Sequence, residues 1–188
     1  MAEYENTRAS TRGLTQLREL SPTSTLLLFT PVMVPSGYVS DPPSGDDESS
    51  VDAKPAGSPR FRPNSGDPFE MLGIALSKQH RRVRHVPYVP SVGFTETHEV
   101  FLAKADAVIV VSCEPESSPN METTLAKQAE FVGNVASELE EAGRQVPLVN
   151  FNFGGDEWEN QVATYNHVWV GEKYNAETVT NIVKLVFR

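Results

Sequence analysis

The chain has 188 residues, 39% of them hydrophobic and 22% charged, with a net charge of -9 and a pI near 4.9. That length is one domain's worth, with room for a core of normal size. No apolar run approaches the ~20 residues a bilayer requires, and acidity of this size argues against a phosphate-backbone binder, which needs clustered positive charge.

The opening MAEYENTRAS has no apolar h-region, so no secretory signal is visible and an intracellular location is expected. Residues 1–24 are polar and weakly patterned; Gly13 to Leu20 suits one or two helical turns, and a flexible arm is expected. One α/β domain over 25–188 is expected after it. Thr25 to Val34 (TLLLFTPVMV) is too short for a buried helix and reads as the first, central strand. Residues 36–66 hold five prolines (Pro42, Pro43, Pro55, Pro59 and Pro63) and the acidic run Asp46-Asp47-Glu48. Such a stretch buries too little apolar surface to offset its ordering entropy, which predicts a disordered insertion within the domain.

Asp67-Pro68-Phe69-Glu70 then reads as a helix start, with Asp67 as N-cap and Pro68 first in the helix. Phe69, Leu72, Ala75 and Leu76 form its inner face. The cations Lys78, Arg81, Arg82 and Arg84, with His80 and His85, follow at its end, where unpaired carbonyls favour positive charge. Val83 to Val89 reads as a second strand. Phe94 to Ala105 reads as a helix capped by Thr95 or Thr97, with Val100, Phe101 and Ala105 inward.

Ala107 to Cys113 (AVIVVSC) lacks alternation, as a strand buried on both faces does. Thr123 to Ala142 repeats Leu125, Ala129, Val132, Val135, Ala136 and Leu139 at helical spacing and ends at Gly143. Val146 to Phe153 and His167 to Gly171 are the fourth and fifth strands. Asn175 caps a last helix with Val179, Ile182, Val183 and Val186 inward. Strands alternating with helices predict a three-layer sandwich: a mostly parallel, five-stranded, flavodoxin-like doubly wound sheet.

In such sheets ligands sit at the carboxyl ends of the strands. There the sequence places Thr30, Tyr88, Thr95, His98, Glu114 and Trp158 as candidate ligand-binding residues. Glu114 and Glu116 lie beyond the third strand, and Asp156, Glu157 and Glu159 beyond the fourth, but loop carboxylates in an acidic chain are ordinarily solvated. The single cysteine, Cys113, excludes an internal disulfide and a cysteine-rich zinc site. Its flanks, Val111-Ser112 and Glu114-Pro115, lack the small residues a strained nucleophile turn needs, so a buried inert thiol is expected. Gly154-Gly155 is followed by Asp156-Glu157, which repel phosphate, and neither GxGxxG nor GxxxxGK[ST] occurs. No HxxxH or HExxH pair is present. Nothing here implies a cofactor or a metal, and no catalytic residue is assigned.

The ordered segments TPVMVP, DPFEMLGIALSKQHRRVRHVPY, GFTETHEVFLAKADAVIVVSCE and YNAETVTNIVKLVF resemble the C-terminal α/β domain of glycoside hydrolase family 3. The likeness is greatest to fungal N-acetylglucosaminidase-like members and covers 26–187. In that family the nucleophilic aspartate lies on a (β/α)8 barrel of ~250 residues, as does the His–Asp acid/base pair of the N-acetylglucosaminidase branch. The resemblance therefore implies a non-catalytic domain that packs on a barrel domain or subunit and shapes a cleft for an N-acetylglucosamine-type sugar. Tyr88, Phe94, Phe153 and Trp158 are its candidate aromatic contacts. The alternative is an autonomous small-molecule enzyme or binding protein using the strand-end pocket around Tyr88, His98 and Glu114. A third reading makes the insertion at 36–66 the partner-binding part of an interaction module.

Overall fold

A computed structural model describes residues 12–38, 67–117, 120–154 and 167–187. In chain order these form helix α1 (12–18), strand β1 (Leu26–Pro31), α2 (Glu70–Gln79), β2 (Val83–Tyr88) and α3 (Glu96–Leu102). There follow β3 (Ala107–Cys113), α4 (Met121–Glu141), β4 (Leu148–Phe153), β5 (His167–Gly171) and α5 (Ala176–Phe187). All five strands run parallel, in the order β2-β1-β3-β4-β5. This is the order of flavodoxin-like doubly wound sheets. β1, β3 and β4 are buried along their whole length; β1 and β3 accordingly run mostly apolar instead of alternating, whereas β4 buries Asn150 and Asn152 between its apolar residues.

Two apolar layers flank the sheet. On one face Leu26, Leu28, Ile109, Val111 and Phe151 meet Leu17 of α1, Leu72 and Leu76 of α2, and Ile182 and Val186 of α5. On the other, Leu27, Phe29, Val108 and Val110 meet Leu102 near α3's end and Phe131, Val132 and Val135 of α4. Burial of the leucine at position 17 corrects the expectation of a flexible arm for its later part: Leu17 is 1% exposed and belongs to the core. The expected disordered insertion lies, from residue 39 to 66, outside the described residues.

Helix entries follow local chemistry. The helix expected to open at Pro68 begins at Glu70. The Asp67 carboxylate accepts the Phe69 N–H at 2.9 Å and its carbonyl accepts the Glu70 N–H at 3.2 Å, so these residues form a turn ahead of the helix. α3 is opened by a box in which the Thr95 N–H donates to His98 Nδ1 at 3.0 Å. That contact turns His98 and Leu102, four apart, toward the sheet. Val100 and Phe101, expected inward, are consequently exposed. α5 carries a reciprocal cap between Asn175 and Thr178, each side chain accepting the other's backbone N–H.

Candidate functional site

Where the chain reverses its direction of travel across a doubly wound sheet, the two neighbouring strands part and leave a crevice. Here those strands are β1 and β3. Their pairing ends at Phe29↔Val110, whereas β3 continues against β4 as far as Cys113↔Phe153. Ala107 donates its N–H toward β1 at Thr25, so the odd-numbered residues of β3 present backbone groups to that side. The carbonyl of Val111 and both backbone groups of Cys113 therefore face the crevice without a strand partner.

Side chains of the same chain satisfy all three. Tyr88 donates its hydroxyl to the Val111 carbonyl at 2.9 Å. Gln128, wholly buried in α4, accepts the Cys113 N–H and donates to the Cys113 carbonyl, both at 2.9 Å, as a neighbouring strand would. Its amide nitrogen also approaches Met33 Sδ at 3.7 Å. Tyr88 is locked by stacking on Phe131, with ring centroids 3.8 Å apart. Above them the loops after β1 and β3 join at Pro35 and Pro115. Ser36 donates to the Glu114 carbonyl and Glu116 to the Val34 carbonyl, each at 2.9 Å. The crevice is thus filled below and bridged on top.

The candidate residues are distributed around this plug. Tyr88 and His98 meet through Phe131, and Thr95 is held by His98. Because Nδ1 of His98 accepts a backbone N–H, its proton is assigned to Nε2, which points at the Pro87 carbonyl 3.3 Å away. Thr30 is buried on the opposite face and bonds His85 Nε2 at 2.7 Å. Glu114, half-buried, packs its side chain over Gly154. The structure therefore does not gather Thr30, Tyr88 and Glu114 into one pocket. Trp158, Asp156, Glu157 and Glu159 lie outside the described residues.

Burial pushes the Tyr88 phenol well above its ordinary range, with Cys113 adding to the effect. The Cys113 thiol is raised by burial and further by Glu114, so it resists becoming the nucleophilic thiolate. His85 moves the other way: burial lowers its pKa, against the raising influence of Asp67 and Glu70. Asp67 Oδ2 stands 3.8 Å from the same Nε2 that Thr30 bonds. A relay needs hydroxyl and carboxylate on opposite ring nitrogens; here they share one. Among the described residues no group of three or more His, Cys, Asp or Glu is placed to hold a metal ion, and no helix is long and apolar enough to cross a membrane.

Three residues of this site escaped sequence reasoning. Gln128 lies three positions after Leu125 on the inner stripe of α4, and a polar residue in that stripe was the available signal. Phe131 shares the stripe. His85 stood out only as part of a basic run. Of the expected aromatic contacts, Tyr88 and Phe153 are each 1% exposed, hence core. Among the described residues the exposed apolar side chains of the strand-end rim are instead Val32, Val34, Val89, Val92 and Met121. Comparison with protein-family profiles, curated proteins and solved structures finds no match to this chain.

Proposed function

We propose that this chain is a non-catalytic α/β domain of the glycoside hydrolase family 3 type, packing on a (β/α)8 barrel domain or subunit and shaping a cleft for an N-acetylglucosamine-type sugar. The carrying observation is the character of the rim: an apolar collar of valines around a crevice already filled by Tyr88 and Gln128. A collar of that kind suits burial against another protein surface. Among the described residues, Tyr88 and Gln128 take up the unpaired backbone groups of Val111 and Cys113, and burial holds the tyrosine and cysteine protonated. The sequence resemblance supplies the partner's class.

The reading is tested by mixing the purified chain with a separately produced barrel of a family 3 N-acetylglucosaminidase. Association on size exclusion, with higher turnover of a chromogenic N-acetylglucosaminide than the barrel alone gives, supports it. Turnover by the chain alone would instead establish an autonomous enzyme and overturn it.

A further inference from the structure

β2 is an edge strand, and its open side has an unusual chemistry. Leu26 donates to the Arg82 carbonyl and Val32 to the Tyr88 carbonyl, so even-numbered residues of β2 face β1. The odd-numbered Val83 and His85 consequently turn their backbone N–H and C=O groups outward. Pro87, next in that row, has no N–H, and its carbonyl is approached by His98. Among the described residues the edge is thus open for Val83–His85 and closed beyond, as edge prolines close it.

Along this open stretch runs a groove of about 380 Å³ between β2 and the outer side of α2, walled by Gly73, Ile74 and Ser77. Glu70 and Lys78 mark its two ends. The distance between them along the helix is about 12 Å, the length of roughly three to four extended residues. Ile74 is 44% exposed and provides an apolar wall. At the Lys78 end Arg81, Arg82 and Arg84 are all exposed. Among the described residues Lys78, Arg81 and Arg84 have no ion-pair partner. At the other end Asp67 and Glu70 repel acid, so negative charge is welcome only beside Val83 and Arg84.

A second copy of this chain does not fit. Antiparallel exchange of the Val83 and His85 backbone groups between two copies sets Arg84 directly across from Arg84, and like charges so placed are destabilising. The same arginine favours the opposite charge. We propose that the open edge of β2 docks a short extended acidic segment of another protein as an added strand. Its carboxylate lies against Arg84 and its neighbouring apolar side chains against Ile74 and Val83. This site is independent of the glycosidase reading and stands or falls separately from it.

The experiment uses the full chain and two blocked, fluorescein-labelled peptides, Val-Asp-Val-Asp-Val and Val-Lys-Val-Lys-Val. Anisotropy reads binding and hydrogen exchange reads the Val83 and His85 amides. The aspartate peptide is expected to bind, to slow exchange at both amides and to weaken as NaCl is added. Arg84→Glu, at an exposed position, should weaken the aspartate peptide about tenfold and favour the lysine peptide. Thermal melting confirms that this variant stays folded. The proposal is overturned if neither peptide binds at millimolar concentration, if both bind equally, or if Arg84→Glu leaves aspartate binding unchanged. Unaltered exchange at Val83 and His85 would overturn it as well.

Discussion

Gln128 occupies a position that an amphipathic helix ordinarily gives to an aliphatic side chain, and it stands in for a missing strand. Gln128→Leu keeps the apolar stripe but strands a buried N–H and a buried carbonyl of Cys113. At about 1–3 kcal/mol for each unsatisfied group, the expected loss is about 2–6 kcal/mol, read from the urea midpoint. Cys113 should resist iodoacetamide in the native protein at pH 8 and react at the rate of unfolding. His85 gives a pH signature. Its folded pKa lies below the unfolded value of about 6.5, so the unfolded chain binds more protons as pH falls. Its contribution to stability is complete above that value, declines as pH drops through it, and levels off below the folded pKa. His85→Gln should remove that share of the acid sensitivity, measured by denaturant titrations between pH 8 and pH 5.

At the level of elements, legibility followed burial pattern. β3 and β5 occupy the expected bounds because an unbroken β-branched run and a strand closed by glycine each have one solution. The facing of α3 is set by the local Thr95–His98 box, which fixes the first turn at Thr95, a choice between Thr95 and Thr97 that spacing alone leaves open. α1 was underrated because seven helical residues cannot hold themselves together in water. They persist here by placing Leu17 in the core and by an Arg18 Nε bond to the Leu185 carbonyl at 2.9 Å. Leu17→Ala should therefore cost about 3 kcal/mol, the range for a buried leucine, whereas a free arm would show no change in the melting curve. The site was less legible than the fold. Strand ends could be located from sequence, but not that Tyr88 would turn inward across β1 to reach Val111.

For the whole molecule, the rim and the core make separable demands. Val32 and Val92 are 57% and 66% exposed, so Val32→Asp with Val92→Asp should shift stability by no more than about 0.5 kcal/mol per site. The same pair should abolish association with a barrel partner if the apolar collar is the packing surface, as size exclusion would show. Retained association would move the interface elsewhere.

The strand order has a consequence for biosynthesis. β1 lies second in the sheet, yet both its neighbours come later in the chain, β2 from residue 83 and β3 through Cys113. On a ribosome adding ~5–20 residues per second, the apolar segment LLLFTP emerges seconds before either partner exists. A nascent chain stalled ahead of Val83 would display it with neither neighbouring strand to cover it. Such a chain should bind holdase chaperones, and one released after α5 should not.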